Sequence, residues 1–279
     1  MSRFFALMFC VSSVFVSFVV PTAAQETDTT LIARVSAYVD QHYSRALTLL
    51  VTETTVVQSV TPQLEVDGPP RRVVSEMRIE WSGAFGSEPR EVRELQSASG
   101  SRFGPSGQPD CLDMRSVTFA PLGFLLPVNR EKFRFSVGRF ETVNGVSARR
   151  IDYEPRRPDP PRVRWNGKCG WVDSYGRTRG SVWVEPASGE VLRLEERLIG
   201  RVKLPGPPGD PNAPEFVAER ADTTIDYERF SFANPDETIL LPARVVEVNF
   251  IQKSASPRVR VVRTFTEYRR FLATVRVIP

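Results

Sequence analysis

Most of the chain beyond residue 46 alternates apolar and polar positions with a period of two, the pattern of half-buried β-strands. The clearest case is 179–198, in which two such runs flank the turn sequence Pro186-Ala187-Ser188-Gly189. Val182 and Leu194 mark the apolar face of the two runs, and Trp183 falls on the opposite face. The segment therefore predicts a β-hairpin within a larger antiparallel sheet.

Comparable strand patterns recur along the chain, at 47–60, 71–81, 91–96, 132–142, 146–153, 163–165, 169–172, 216–232, 239–251 and 259–273. Between two of them, Val143-Asn144-Gly145 is a strong hairpin signal, because Asn-Gly tolerates positive φ at both turn positions. The Pro- and Gly-rich segment 204–214 suits either a hairpin tip or a domain linker, and the strand patterns on both sides favour the tip. The fold class is mainly β, with one curved antiparallel sheet of about 10–11 strands forming a half-barrel.

Two segments depart from the strand pattern. Residues 28–45 carry apolar side chains at helical spacing and predict an N-terminal helix that packs on the sheet. Residues 112–127 are apolar without alternation and predict short helical turns that plug an open face of the sheet. This plug has two interpretations, closure of the core or a mobile apolar lid, and the lid would consist of Phe119, Leu122, Phe124 and Leu125.

The first 24 residues have the form of a secretory signal peptide. A short basic start is followed by an apolar run to Val20 and by small residues up to Ala24. An uncleaved anchor is the alternative, since the apolar run approaches the length that spans a bilayer. We expect cleavage after Ala24, a single domain over 25–279, no stable transmembrane segment after cleavage, and an exported protein in the periplasm or outside the cell.

The cysteines predict one disulfide. Removal of the signal peptide takes Cys10 away and leaves Cys111 and Cys169 in an oxidising compartment. In the chain-entropy model the bridge would stabilise the fold by about 4 kcal/mol. Two cysteines and the single histidine, His42, do not provide the ligands of a zinc site, so no metal is expected.

The formal net charge of +4 is carried mainly by arginines that are interleaved with Asp and Glu along the strands. This pattern is typical of a solvated, salt-bridged sheet face and argues against a nucleic-acid-binding surface.

No catalytic motif is present in the sequence. A Ser/His/Asp triad needs a histidine base, and His42 lies at the end of the predicted helix without a G-x-S-x-G motif elsewhere. Glu195 and Glu196 are adjacent in a strand and point to opposite faces, whereas Asp152 and Glu154 share a face but are surrounded by arginines that predict salt bridges. No phosphate-binding loop or dinucleotide fingerprint occurs. We therefore expect a non-enzymatic protein without a cofactor.

Over roughly residues 30–273, the chain resembles the outer-membrane lipoprotein-carrier (Lol-like) superfamily of exported bacterial proteins. The similar positions are a W-x-E-P-x-S-G turn, an LP pair within a strand and a final Y-x-x-F, namely Trp183, Glu185, Pro186, Ser188, Gly189, Leu241, Pro242, Tyr268 and Phe271. The resemblance implies a half-barrel whose concave face is covered by helices and lined by apolar residues that hold acyl chains. It also implies a lipid or a lipoprotein as the partner.

Three functions follow as competing expectations. The first is an exported binding protein that holds an acyl chain or a lipoprotein tail on the concave face, lined by Phe133, Phe135, Trp183, Leu192, Leu194, Val248, Phe250 and Phe265. The second is an envelope structural or protein-interaction module without a ligand cavity. The third, an enzyme, requires a convergent set of polar residues in a pocket.

Overall fold

The structure is a computed structural model that describes residues 27–46, 49–80, 90–100, 121–166, 169–209, 213–254 and 256–270. One long helix, a 3₁₀ turn, a short helix and thirteen strands lie within these ranges. In chain order they are α1 (Asp28–Ala46), β1 (Leu49–Ser59), β2 (Arg71–Glu80), β3 (Arg90–Gly100), the 3₁₀ turn (Gly123–Leu125), α2 (Pro127–Arg130), β4 (Phe133–Val143), β5 (Val146–Pro155), β6 (Arg162–Asn166), β7 (Cys169–Ser174), β8 (Thr178–Val184), β9 (Val191–Leu198), β10 (Val202–Leu204), β11 (Phe216–Ala233), β12 (Asp236–Gln252) and β13 (Arg258–Arg270).

Eleven of these strands form one open antiparallel sheet. Its order is β3-β2-β1-β13-β12-β11-β9-β8-β5-β4, and β10 pairs separately with β11. Strands β6 and β7 form a two-stranded sheet of their own. The predicted class and strand number are confirmed. Strand β1 pairs with β13, so the two ends of the described chain meet in the middle of the sheet.

The turns follow the local sequence. Asn144 and Gly145 both have positive φ, 50° and 79°, and they join β4 to β5 as the Asn-Gly signal predicts. The predicted hairpin over 179–198 is formed by β8 and β9. The Pro- and Gly-rich segment connects β10 to β11, which pair with each other, and it is therefore a hairpin tip.

Helix α1 packs one apolar stripe against the sheet. Leu31, Val35, Val39 and Tyr43 are all buried, and they belong to one core cluster with side chains from the 3₁₀ turn and from most of the large sheet. The Thr27 hydroxyl accepts a hydrogen bond from the Thr30 amide at 3.3 Å and caps the start of the helix. Burial of this stripe, rather than helix propensity, holds α1 in place.

The sheet has two distinct faces, which we call the inner face and the outer face. The inner face is the one that packs against α1 and the 3₁₀ turn. On this face, Arg149 of β5 lies 3.7 Å from Asp28 of α1, and the ring of Tyr153 stacks on that of Phe124 in the 3₁₀ turn, with 3.7 Å between the centroids. Because side chains alternate along a strand, Asp152 lies on the outer face. Strand register extends this assignment, placing Val182 and Leu194 on the inner face and Ser181 and Glu195 on the outer face.

Four charged side chains form a buried network on the inner face of β1, β3, β12 and β13. Arg93 Nε lies 2.5 Å from one oxygen of Glu53, and Arg263 Nε lies 3.1 Å from the other. Arg263 also pairs with Glu247. The side chains of Glu53, Arg93 and Arg263 are 1%, 2% and 4% exposed, so the charges compensate one another with little help from water.

Several predictions concern parts of the chain that lie outside the described residues. They are the signal peptide over 1–24, Cys10, Cys111, the lid residue Phe119 and Phe271 of the final motif. Cys169 is described, and it is buried at the start of β7. Its pairing with Cys111 stays a prediction. Of the described helices, none combines the length and the apolar character needed to cross a membrane.

Candidate ligand-binding site

Three of the four predicted lid residues lie in the core. Leu122, Phe124 and Leu125 are 1%, 8% and 0% exposed. The Ser36 hydroxyl of α1 donates to the Leu125 carbonyl at 2.5 Å, and the Leu122 amide donates to the Tyr43 hydroxyl at 3.1 Å. These contacts are the ones expected if the segment closes the core. That the segment moves as a lid stays a prediction.

The eight predicted lining residues do not share one face. Phe133, Phe135, Leu192, Leu194 and Phe265 lie on the inner face, by alternation and by the register of their strands. Trp183, Val248 and Phe250 lie on the outer face, since Trp183 is opposite Arg150 and Arg193, and Val248 is opposite the outer-face residue Asp222. The eight residues therefore do not form one continuous lining.

On the inner face the predicted lining residues pack against protein. Phe133 and Phe135 lie with their ring centroids 5.6 and 6.3 Å from that of Phe124. Leu192, Leu194 and Phe265 are each less than 5% exposed and belong to the main core cluster. These five residues thus belong to the main core cluster or pack against it, and α1 and the 3₁₀ turn contribute to the same cluster.

A large hollow lies on the outer face instead. Its volume is about 930 Å³, and it crosses the five neighbouring strands β4, β5, β8, β9 and β11. The outer-face side chains that line it are Arg134, Ser136, Arg150, Asp152, Glu154, Arg179, Ser181, Trp183, Glu195, Arg197, Asp222 and Thr224. Its size is that of a small-molecule site, and most of its lining residues are polar or charged.

The centre of this outer-face hollow is one row of polar residues in register. Ser136, Asp152, Ser181, Glu195 and Thr224 are consecutive cross-strand partners on β4, β5, β8, β9 and β11. Cross-strand partners lie about 5 Å apart, so the row extends across the whole hollow. It presents hydroxyls and carboxylates to the same side of the sheet.

The carboxylates of the hollow are held by neighbouring donors. Asp152 accepts hydrogen bonds from Arg150 at 2.8 Å and from the Ser181 hydroxyl at 2.5 Å. Further outer-face pairs are Arg134 with Glu154 at 2.7 Å, Arg193 with Glu195 at 3.1 Å and with Asp226 at 3.5 Å, and Arg220 with Asp222 at 2.5 Å. The salt bridges that the sequence predicts for Asp152 and Glu154 are confirmed, and these carboxylates are arranged as structural partners of arginines.

Trp183 forms part of the wall of the hollow and is itself only 7% exposed. The guanidinium carbons of Arg150 and Arg193 lie 5.7 and 5.9 Å from its ring centroid, on the two neighbouring strands. Its indole N–H donates to Glu141 at 2.8 Å, and this hydrogen bond, with the nearby arginines, holds the pKa of Glu141 below its usual value. Trp183 thus orients charged groups at the wall.

Tyr153 and Glu196 form a buried pair beneath the hollow. Tyr153, Gly180 and Glu196 are cross-strand partners, and the Tyr153 hydroxyl donates to Glu196 at 2.8 Å. A Cβ atom at position 180 would lie 2.6 Å from the Tyr153 oxygen, so glycine is needed for this approach. Burial raises the pKa of Glu196 and, together with the neighbouring Glu196 charge, raises that of Tyr153.

His42 lies apart from the hollow, near the C-terminal end of α1. It is 3% exposed between Tyr38 and Tyr43, with ring centroids 5.9 and 5.6 Å away. Its Nδ1 has no hydrogen-bond partner. Burial, and secondarily the charge of Arg45, lowers the pKa of His42 to about 4. The histidine thus belongs to the helix–sheet contact.

This burial predicts a specific pH dependence of stability. The folded-state pKa of His42 is below the unfolded value of 6.5, so its contribution is fully present above pH 6.5 and is lost as the pH falls towards about 4. Replacing His42 with Phe should remove up to about 1.4 kcal/mol per pH unit from the slope in that window. Chemical denaturation at several pH values measures the slope, and equal slopes for the variant and the wild type would contradict the assignment.

Metal binding was not expected from the sequence. Among the residues that the structure describes, no three His, Cys, Asp or Glu side chains are grouped in a way that could hold a metal ion.

No protein-family model matches the chain, and no curated protein matches it significantly. Solved structures do match, over most of the chain and at low identity. An outer membrane lipoprotein-sorting protein domain from Vibrio parahaemolyticus is 10% identical, with a TM-score of 0.41 over 88% of this chain and 95% of its own. A DUF1329 family protein from Desulfovibrio piger is 8% identical, with a TM-score of 0.40 over 88% and 94%.

A LolA superfamily protein from Nitrosomonas europaea is also 8% identical, with a TM-score of 0.34 over 89% of this chain and 96% of its own. The solved structures to which the chain is similar thus include a lipoprotein-sorting protein domain and a LolA superfamily protein.

Proposed function

We propose that the chain is an exported, non-enzymatic binding protein that holds a polar, charged ligand in the outer-face hollow. The observation that carries this proposal is the hollow itself, which has a volume of about 930 Å³ and a lining of arginines, carboxylates and hydroxyls. Volumes of this size are typical of ligand sites. Polar lining residues favour ligands that form hydrogen bonds with them, because a buried polar group without a partner costs free energy.

The rigidity of the lining supports binding. Arg134 and Arg150 are each fixed by a carboxylate on the same or the neighbouring strand, and Trp183 is fixed by Glu141. Side chains held in this way lose little conformational entropy when a ligand binds. Since Asp152, Glu154 and Glu195 are all neutralised by arginines, the same contacts favour a binding role over acid–base chemistry.

Export, the periplasmic or extracellular location and the Cys111–Cys169 disulfide belong to this proposal. They are supported by the form of residues 1–24 and by the two cysteines that remain after cleavage.

An acyl chain or a lipoprotein tail on the inner face is the second candidate. One observation favours it: Phe133 and Phe135 are only partly buried, although they lie on the apolar face beside the 3₁₀ turn. A displacement of this turn would uncover a continuous aromatic surface with Phe124 and Tyr153.

Two tryptophan substitutions test the site, one at Thr224 in the hollow and a control at Thr142. Thr224 lines the hollow and makes no side-chain hydrogen bond within the described chain, whereas Thr142 is exposed on β4 outside the hollow. We expect native mass spectrometry of the purified protein to find a co-purified polar molecule, which Thr224→Trp should lose by at least tenfold and Thr142→Trp should retain. Recovery of acyl species alone, with no effect of Thr224→Trp, would instead support the second candidate.

A further inference from the structure

Two arginines of the outer-face hollow differ from the other arginines there. Arg179 of β8 and Arg197 of β9 are exposed, line the hollow and are direct cross-strand partners. Neither makes a side-chain hydrogen bond or an ion pair within the described chain, whereas Arg134 and Arg150 are both bonded to carboxylates. The hollow therefore contains two free guanidinium groups side by side.

The surrounding acids do not compensate these two charges. Asp222 faces Arg197 from β11, but its carboxylate is bonded to Arg220 at 2.5 Å. Glu196 lies on the opposite face and is bonded to Tyr153. The outer-face carboxylates of the lining are each bonded to an arginine other than Arg179 and Arg197; they are Asp152, Glu154, Glu195 and Asp222.

The adjacent positions of Arg179 and Arg197 lower the stability of the folded state. Like charges directly opposite each other in adjacent strands are destabilising, and their Cβ atoms lie only about 5 Å apart. An anion that binds between them would relieve the repulsion.

The geometry selects the type of anion. A planar carboxylate has two oxygens, and a single guanidinium group can donate a hydrogen bond to each of them, so a carboxylate does not need a second arginine. A tetrahedral phosphate has oxygens in several planes, so two guanidinium groups from two strands can each bind a separate pair. The hydroxyl of Thr224, which has no partner in the described residues, lies on β11 at the same hollow and supplies a further donor.

We infer that Arg179 and Arg197 together bind a phosphate group of the ligand. This inference rests on the proposed function, because it assigns the ligand of the outer-face hollow to the class of phosphorylated molecules. The remaining row of hydroxyls and carboxylates, from Ser136 to Glu195, would then contact the polar body that bears the phosphate.

The test measures binding of glycerol 3-phosphate by calorimetry at low salt. We expect Arg179→Gln and Arg197→Gln each to weaken binding at least tenfold and the double variant to abolish it. Arg164→Gln is the control, because this exposed arginine lies on β6 outside the hollow and is paired with Asp173, and it should change the affinity less than twofold. The melting temperatures of Arg179→Gln and Arg197→Gln should equal or exceed that of the wild type, because the like-charge contact is removed.

Three probes distinguish the source of the phosphate. Binding of inorganic phosphate and glycerol 3-phosphate but not of vesicles would indicate a soluble ligand, and binding of phosphatidylglycerol vesicles through the same two arginines would indicate a lipid headgroup. Acetate should bind at least tenfold more weakly than phosphate. Equal binding of acetate, or full binding by the double variant, would overturn the inference.

The outcomes for the two proposals differ. If Thr224→Trp removes the co-purified molecule but the double arginine variant retains it, the phosphate inference fails and the hollow remains the site. If phosphate binding requires both arginines but Thr224→Trp retains both the phosphate and the co-purified molecule, the phosphate contact stands, and the proposal that the ligand fills the hollow as far as β11 fails.

Discussion

Replacing Glu53 by glutamine should lower the free energy of unfolding by about 3–5 kcal/mol, because a buried ion pair that loses one partner leaves the other charge uncompensated. Glu53 bonds Arg93 at 2.5 Å and Arg263 at 3.1 Å, and all three side chains are almost fully buried. The substitution removes the charge that both arginines share and keeps the shape of the side chain. Urea denaturation at neutral pH measures the effect.

Glu94→Gln is the matched control for this prediction. Glu94 pairs with Arg78 at 3.1 Å on neighbouring strands, but their side chains are 63% and 37% exposed. Exposed pairs contribute about 0–1 kcal/mol, so this variant should be nearly neutral. Equal effects of the two variants would show that water reaches Glu53 and that the network on the inner face is not buried.

Replacing Leu125 by alanine should cost about 2–5 kcal/mol, the range for truncation of a buried leucine. Leu125 is fully buried, and its carbonyl accepts the Ser36 hydroxyl of α1. Its removal would leave a cavity between the 3₁₀ turn and the helix, in a core that cannot rearrange without moving α1. The free energy of unfolding by chemical denaturation gives the value.

This measurement also separates the two interpretations of the plug. Val128, in the next turn of the chain, is 54% exposed, and Val128→Ala should change stability by less than about 0.5 kcal/mol. If Leu125→Ala is equally mild, the segment is not fixed in the core and the lid interpretation gains support. A large effect at Leu125 alone assigns the segment to core closure.

Local sequence signals predicted the elements of this fold well because they act over a few residues. Asn144-Gly145 permits positive φ at both turn positions, and the apolar stripe of α1 repeats at helical spacing. The opposite orientations of Glu195 and Glu196 follow from alternation within one strand, and the structure confirms them. None of these features depends on distant parts of the chain.

The predicted lining was less successful, because composition alone does not assign a residue to a face. Alternation within the hairpin already places Trp183 opposite Val182 and Leu194, and strand register places Val248 and Phe250 on the same outer face as Trp183. Trp183 contacts two arginines there, and Arg220 lies over the Phe250 ring at 5.6 Å. β-Bulges, such as the one between Trp183 and Val184, shift the register locally and are not evident from period-two alternation.

Some contacts of the arginines were also predictable from the sequence, whereas others depend on how the strands pair. Their interleaving with Asp and Glu predicted a salt-bridged sheet face, and the pairs of Arg134 and Arg150 bear this out. That Arg179 and Arg197 lie opposite each other without an acidic partner depends on the pairing of β8 with β9. The only signal in the sequence is their position in the two strands of one hairpin.

By itself, the sequence determined the strands, the helix and the main turns of this protein, since these follow from backbone preferences and from the period of apolar residues. Only the tertiary structure decided which face is covered, that Glu53 is buried between two arginines, and that the hollow is polar and lies opposite α1. The physical reason is that charge pairing and burial arise between strands far apart in sequence, such as β1 with β13 and β9 with β11.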